Sequence, residues 1–391
     1  MAQLSYRTAG ESHGPALTIL IEGLPAGVGI DTELINTELT RRQGGYGRGG
    51  RMKIERDAVT ILSGVRQGRA IGSPLVLQIV NRDSRIDEAP PVHRPRPGHA
   101  DMAGAIKWLT PDCRETLERA SARETASRTA AGAVAKCLLR EFGIEAVGFV
   151  AELGPIRAAI GDGETGPALR SARDANDVYC PDASVVDAMM AHIRQAKIDQ
   201  DSVGGIVETR VFGAPIGLGS CWSFDQKLDG RLMQAVGSIQ AIKGVEIGLG
   251  FDAARRPGSQ VHDALDFDPD RREEPHLGLV RRSNRAGGLE GGMTNGMPIV
   301  VRAAMKPIAT LLQGMDSVNL LTFAPERSDY ERSDVCAVPA ASVVMENVVA
   351  FEIARAFVEK FGGDTLDEAR AAYASFTAIA RNRFGRGALG A

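Results

Sequence analysis

The chain alternates between short apolar runs and longer helical patterns, and that alternation predicts its elements. Leu17-Thr18-Ile19-Leu20-Ile21-Glu22-Gly23 reads as an early strand, closed by Pro25 and Gly27. Asp31 to Arg42 reads as a helix: Asp31 suits the N-cap, Glu33 the first turn, and Leu34, Ile35 and Leu39 make an apolar side. Ala58 to Leu62 and Ser73 to Val80 are strand-like and are expected to pair through the 64–72 connection. Thr110-Pro111 is read as the start of a long helix reaching Phe142 and Gly143, with Thr as N-cap and Pro at the first position. Ser184 to Asp187 resembles a capping box before a further helix. Gly205 to Phe212 is β-like, 228–240 helical, and Met297 to Ala304 an apolar strand. A last long helix is expected from Pro339 to Gly362-Gly363, with Val344, Val348, Phe351 and Val358 at helical spacing as core. Strands and helices without strict βαβ order predict an α+β fold. We expect one domain over 1–380 and a flexible tail over 381–391.

Composition narrows the classes. The 391 residues are 43% hydrophobic and 24% charged, as in ordinary globular proteins. A net charge of −3 and 5% aromatics argue against a nucleic-acid binder, so basic clusters must be local features. Five dispersed cysteines without a CxxC fit a reducing compartment. The N-terminus lacks an apolar signal core, and no apolar run approaches the ~20 residues of a membrane span. A cytoplasmic protein without membrane association is expected.

Against this background Gly44-Gly45-Tyr46-Gly47-Arg48-Gly49-Gly50-Arg51, directly after Arg41-Arg42, stands out. Glycines permit close backbone approach, and arginines match phosphate and carboxylate. The segment reads as a polyanion site or as a basic surface loop. Its Gly45-x-Gly47-x-x-Gly50 spacing is not a dinucleotide fingerprint, because a helix precedes it and a strand follows, the reverse of the required order. Gly10-Glu11-Ser12-His13-Gly14 frames a histidine in a turn, as a proton-transfer group or a plain turn residue. Arg96-Pro97-Gly98-His99-Ala100-Asp101 frames a second on a stiff loop, where Asp101 could orient the ring. His93, His192, His262 and His276 lack such framing and read as surface, and no metal site is expected. The small residues of Arg119 to Ala126 admit either a flat ligand or a close helix contact. Arg285 to Gly296 is a second glycine-rich loop, and Lys306-Pro307-Ile308-Ala309-Thr310 offers amides beside a lysine and a hydroxyl, as in phosphate cradles. Arg332-Ser333-Asp334 precedes the final helix. The acidic 266–276 stretch reads as a mobile loop or lid.

Taken in order, these motifs resemble the chorismate synthase family. The pattern runs through Gly10–Gly14, Gly47–Gly49 with Arg51-Met52, Arg96–Asp101, Arg119–Thr125, Asp201–Gly205, Lys243–Gly248, 287–296, Lys306-Pro307 and Arg332–Asp334. It covers Thr8 to about Gly363, and several long motifs in one order are far more specific than any one alone. The resemblance implies helices packed between two antiparallel sheets and a homotetramer. It implies elimination of phosphate from 5-enolpyruvylshikimate 3-phosphate to give chorismate, with reduced FMN (FMNH2) required and no net redox change. It implies FMN contacts at Arg119, Ala120, Ser121, Gln240, Ala241, Gly291, Lys306, Pro307, Ile308, Ala309, Thr310 and Arg332. Nicotinamide-phosphate or substrate contacts are implied at Arg42 and Arg48. It points to His13 as proton donor to departing phosphate, His99 as proton source near the flavin, and Ser12 and Asp334 as aids to proton handling. Gln240 stands where some members carry Asn. NADPH as reductant is left open by the resemblance. The other readings of these residues are an NADPH-dependent flavin reductase, a non-catalytic phosphosugar or nucleotide module needing neither histidine, and an RNA binder using 41–56.

Overall fold

The computed structural model describes residues 3–49, 56–329 and 334–385. Its first sheet is built from β1 (Ser5–Ala9), β2 (Ala16–Glu22), β3 (Val59–Ser63) and β6 (Leu75–Val80), in the antiparallel order β1-β2-β6-β3. The 58–62 and 73–80 runs pair as the sequence predicts, Val59 opposite Ile79 and Ile61 opposite Leu77. A small ribbon of β4 (Val65–Arg66) and β5 (Arg69–Ala70) joins them. The alternation Leu17, Ile19, Ile21 supplies the face of β2 that is buried completely, as period two requires.

The second sheet has the order β10-β15-β9-β7-β8, from β7 (Glu145–Leu153), β8 (Ile156–Arg157), β9 (Gly205–Phe212), β10 (Ile242–Ile247) and β15 (Ile299–Met305), again antiparallel. Between the sheets lie α1 (Thr32–Gln43), α4 (Thr125–Arg140) and α8 (Val338–Phe361). Helix α4 rests on β1 and β2, α8 on β7 and β9, and the two helices pack on each other. Helices enclosed by two antiparallel sheets are the α+β arrangement expected. The small residues of α4 explain its place: a Cβ on Gly132 would sit 2.1 Å from the Asn347 carbonyl of α8. Helix α8 is buried over most of its length, with Glu346 and Asn347 as polar groups inside the packing and Glu359 and Lys360 exposed in its last turn. Among the described residues no helix is long and apolar enough to cross a membrane.

Peripheral elements complete the chain: α2 (Asp101–Lys107), α3 (Arg114–Ala120), α5 (Gly166–Asp174), α6 (Ala183–Ile198), α7 (Leu228–Gly237) and α9 (Leu366–Gly385). Three ribbons pair β11 (Leu265–Phe267) with β12 (Leu279–Arg281), β13 (Leu289–Glu290) with β14 (Met293–Thr294), and β16 (Asp316–Val318) with β17 (Pro325–Arg327).

Several expectations need correction. The single 110–142 helix is two helices. Thr110 Oγ1 and Asp112 Oδ1 instead hold a turn by accepting from the amides of Asp112 and Arg114, and α3 starts after it. At Ser121 the backbone is extended (φ −62°, ψ 144°), with Ser121 Oγ taking the Arg123 amide. The cap of α6 is Asp182, not Ser184; its carboxylate accepts from the Ser184 amide. The helix from Pro339 is not the last, since Gly362 opens a turn into α9, which continues through Arg381 to Gly385. The first five residues of the expected tail are therefore helical, and 386–391 lie outside the described residues. The 266–276 stretch is tied into the β11–β12 ribbon, with Arg282 clasping Asp266 at 2.6 and 2.9 Å. His276 in that stretch is buried rather than on the surface, its Nε2 2.9 Å from Glu274.

Candidate active site

A cavity of about 520 Å³ opens where the first sheet, the α3–α4 break and the start of α8 meet. The β1–β2 turn contributes Ser12 and His13, and the end of α1 with the following loop contributes Arg42 and Arg48. The loop before α2 supplies Arg96 and His99; the α3–α4 break supplies Ala120, Ser121 and Arg123. Opposite these lie Gln240 and Ala241, then Lys306, Pro307, Ile308, Ala309 and Thr310 after β15. Asp334 closes the rim ahead of α8. Segments more than 300 residues apart thus converge. Two of the expected residues do not line the cavity. Exposed Arg119 donates to the Gly10 carbonyl at 3.0 Å and to the Thr8 carbonyl at 3.1 Å, bracing the β1–β2 turn. Gly291 sits in the turn between β13 and β14. Arg332 lies outside the described residues, as do Gly50, Arg51 and Met52.

His13 is wired through Nδ1, which lies 2.9 and 3.0 Å from the two oxygens of Glu118. Glu118 Oε2 also accepts the His13 amide at 2.8 Å. The turn itself is pinned by Asn81, whose Nδ2 donates to the carbonyls of Glu11 and Gly14. Burial alone would raise the Glu118 pKa. The hydrogen bonds and charge of His13, with Arg114, overcome it and hold the carboxyl below its ordinary value.

His99 repeats the pattern. Its Nδ1 meets Asp101 Oδ1, as the spacing predicts, and Asp101 is held in turn by Arg96 Nε at 2.8 Å and Nη2 at 3.0 Å. An Nδ1–H facing Asp101 cannot accept from Arg96, so the carboxylate fixes the tautomer. Burial opposes ionisation of Asp101, but His99 and Arg96 more than offset it and drive its pKa well down. Arg96 Nη1 donates to Thr310 Oγ1 at 3.0 Å, tying this loop to the one after β15. Lys306 reaches the Gly98 carbonyl. Burial and nearby Lys243 lower its pKa.

The cationic wall is deeper. Arg42 is buried, donating to Thr125 Oγ1 at 2.9 Å and the Ala122 carbonyl at 2.8 Å. Arg123 grips Asp57 at 2.7 and 2.8 Å. Arg48 pairs with Asp334, whose other oxygen accepts the Gly49 amide at 2.6 Å. Burial pulls the Arg42 pKa down to about 9; Asp57 opposes this, while Arg123 and Arg48 add to it. The guanidinium stays charged at neutral pH, in a field that favours an incoming anion. Gly47, at φ +93°, lets this loop lie against Cys336, which a Cβ would approach to 2.9 Å.

Ala120, Ala122, Ala337, Ala340 and Ala341 make one part of the apolar lining, and Leu117, Ile239, Met305, Ile308 and Val344 the rest. Within the Arg119–Ala126 stretch, Ala120 and Ala122 face the cavity and Ala126 the core. Sequence reasoning missed Glu118, Arg123, Asp57 and Asn81. Arg123 stood inside a recognised motif without a role. Glu118 carried one weak signal, a carboxylate four residues after Arg114 on a helix. Among the described residues no cluster of His, Cys, Asp and Glu suits a metal ion.

Comparisons with known proteins converge on one family. The family model described as Chorismate synthase matches residues 4–358. The chain is 55% identical to the chorismate synthase of Geobacter sulfurreducens, over 97% of this chain and 99% of the relative. It is 53% identical to that of Desulforamulus reducens, over 94% and 97%. A crystal structure of chorismate synthase superposes with a TM-score of 0.79 at 39% identity, covering 97% of this chain and 99% of the other.

Proposed function

The chain belongs to the chorismate synthase family of lyases, and from that membership we propose the reaction, cofactor and residue roles that follow. The reaction is 1,4-anti elimination of phosphate from 5-enolpyruvylshikimate 3-phosphate, yielding chorismate in the shikimate pathway. The observation that carries this reading is one cavity holding two carboxylate-backed histidines beside a wall of buried arginines. The substrate bears two carboxylates and a phosphate, roughly four negative charges at neutral pH given a phosphate second pKa of about 6. Arg42 and Arg48 match such groups with their planar forks.

The family's cofactor is reduced FMN, and the residues present fit it. The volume lies within the ~300–1,000 Å³ of cofactor pockets, and the alanine-rich wall suits a flat ring. Gln240 Oε1 is buried without a hydrogen-bond partner and can take a ring N–H. Ala120, Ser121, Gln240, Ala241 and the Lys306–Thr310 segment would hold the group, Lys306 and Thr310 offering charge and hydroxyl to its phosphate. When bound, it supplies electron density to the reacting ring without net redox change. Arg119, outside the lining, would act by bracing the turn that carries His13. We assign no contact to Gly291 within this subunit.

His13 gives a proton to the departing phosphate as the C–O bond breaks, and the bonding pair leaves with the phosphate. His99, oriented by Asp101, holds a proton on the flavin side. Ser12, which accepts from Ser121 Oγ at 3.1 Å, and Asp334 assist proton movement. We extend the reading to a cytoplasmic homotetramer. Exposed Trp222, Phe224 and Phe323 support assembly, and light scattering tests it. The deciding experiment is anaerobic: purified protein, dithionite-reduced FMN and the phosphorylated enolpyruvyl substrate, followed by chorismate absorbance. Absence of product with intact flavin binding ends the proposal. Anaerobic NADPH oxidation with added FMN separates a member that reduces its own flavin from one that does not.

A further inference from the structure

The β1–β2 turn and α3 are held together at a single carboxylate. Glu118 is buried; its Oε2 accepts the His13 amide at 2.8 Å, and its own carbonyl accepts the Ser12 amide at 3.1 Å. Both carboxylate oxygens lie within 3.0 Å of His13 Nδ1. Arg114, one turn earlier on α3, places Nη1 3.5 Å from Glu118 Oε1, and its Nε and Nη2 each donate to the Pro90 carbonyl. On the other side of the ring, Asp83 lies 3.7 Å from Nε2 and is itself paired with Arg85 Nε at 3.0 Å, and the cavity beyond carries Arg42, Arg48, Arg96 and Arg123. The carbonyl of His13 accepts from the amides of Arg85 and Ile86.

We propose that Glu118 is the positioning residue for His13: its buried carboxylate accepts the Nδ1–H, fixes the tautomer and ring plane, and stabilises the imidazolium that protonates the leaving phosphate. This rests on the reading of His13 as the proton donor. The step balances within the site. Nε2–H passes its proton to a phosphate oxygen, and the C–O pair leaves with phosphate. The pair of the substrate's ring C–H bond becomes the new double bond as that hydrogen is released as a proton. The imidazole becomes the neutral Nδ1–H tautomer, still donating to Glu118. The same carboxylate therefore serves both protonation states without moving. Asp101 stands in the equivalent relation to His99, and each carboxylate has an arginine behind it, Arg114 for one and Arg96 for the other. Glu118 accepts the amide of the histidine itself, where Asp101 accepts that of Arg96, three residues before His99, so in both loops the carboxylate holds ring and backbone together.

The test uses the full chain in two ways. In wild-type protein with 15N-labelled histidine, the His13 signal, assigned by its loss in H13Q, is expected to show the neutral ring protonated at Nδ1. A neutral ring protonated at Nε2 overturns the inference, and this readout needs no Glu118 variant to fold. In E118Q the amide still accepts the His13 N–H but carries no charge. Single-turnover phosphate release at saturating substrate with reduced FMN is expected to slow roughly ten- to a hundredfold, part of the full general-acid effect. KM should move less than about threefold, and the alkaline limb of the rate–pH profile should shift to lower pH. E118D, which restores the charge, should recover part of the rate. An E118Q enzyme with the wild-type rate and profile overturns the positioning role while H13A remains slow. If H13A instead keeps the wild-type rate, the reading of His13 fails, whatever the tautomer shows.

Discussion

The last turn of α1 sends two neighbouring arginines to opposite surroundings. Arg41 points between α4, α8 and β7, where Glu38, Glu346, Lys136 and Arg173 form a closed network. Arg41 donates to Glu38 at 2.7 Å and to Glu346 at 3.1 Å; Arg173 reaches Glu346 at 2.7 Å, and the Gly148 amide completes that carboxylate at 2.9 Å. Burial alone would lower the Arg41 pKa, yet Glu346 and Glu38 raise it well above the ordinary arginine value. Arg42 points into the cavity among Arg123 and Arg48, and its pKa falls. The same residue type, one position apart, lies between two carboxylates in one region, whereas in the other it shares the single carboxylate of Asp57 with Arg123. Charge balance separates structure from function here. The core network completes its ion pairs internally, whereas the cavity leaves room for an anion to complete them.

That contrast is broken most severely by removing the proton donors. H13A and H99A should each slow single-turnover phosphate release by about a hundredfold or more, and should cost about 1–3 kcal/mol of stability as buried Glu118 or Asp101 loses its partner. Wild-type rates would remove that histidine from the mechanism. Next come the two arginines. R41M removes one of three cations from the buried network; Lys136 and Arg173 still face Glu38 and Glu346, but the carboxylate hydrogen bonds of Arg41 are lost, which should cost about 1.5–3 kcal/mol of unfolding free energy. R42M should raise KM roughly tenfold or more, from the ~1.5–3 kcal/mol of a charged hydrogen bond, while costing less stability than R41M. Equal stability losses with unchanged KM would erase the distinction.

The sequence made β2, β3, β6, β9, β15, α1 and the core of α8 legible because period and caps are local signals, while β1, β7 and β10 went unread. The α3–α4 break was not legible. Thr110-Pro111 and the run to Phe142 satisfy every local rule for a helix. The interruption at Ser121 is set by Ser12, Asn81 and Asp57, which come from the first sheet and the loops around it. The site was visible where glycines and prolines framed a charged residue, as at His13, Arg48 and His99. It was invisible where partners are distant in sequence: Glu118 for His13, Asp57 for Arg123. The hidden network around Glu346 gave no pattern either, since its members are spread from Glu38 to Asn347.

Acid sharpens the comparison next. Glu346 lies well below the ordinary carboxylate value: burial opposes ionisation, and Arg41, Lys136 and Arg173 reverse that effect. Glu38 is also lowered, burial again being outweighed by cations, chiefly Lys136. A carboxylate with a depressed folded pKa stabilises fully above its unfolded value of about 4.3 and loses that contribution as pH falls. Unfolding free energy should therefore be flat near neutrality and decline below about pH 4.5. Urea titrations between neutral and acid pH measure it, and stability that rises on acidification would contradict the paired network.

The smallest effect concerns Ala241, on the cavity wall with φ +67°. A non-glycine residue there carries about 1–2 kcal/mol of backbone strain. Its carbonyl accepts the Lys306 amide at 3.0 Å, so the strained turn joins the two segments opposite His13. A241G removes the strain but returns about 0.5–1 kcal/mol through the freer unfolded chain, leaving a net stabilisation of roughly 0.5 kcal/mol. The core offers the reverse case: G132A, driven into the Asn347 carbonyl, should destabilise by about 1–3 kcal/mol. If the cavity is where strain is held and the core where fit is tight, the two substitutions must move the urea midpoint in opposite directions. A midpoint lowered by A241G would mean that the methyl group's packing against the wall outweighs the backbone cost, and the contrast between the two regions would then rest on charge alone.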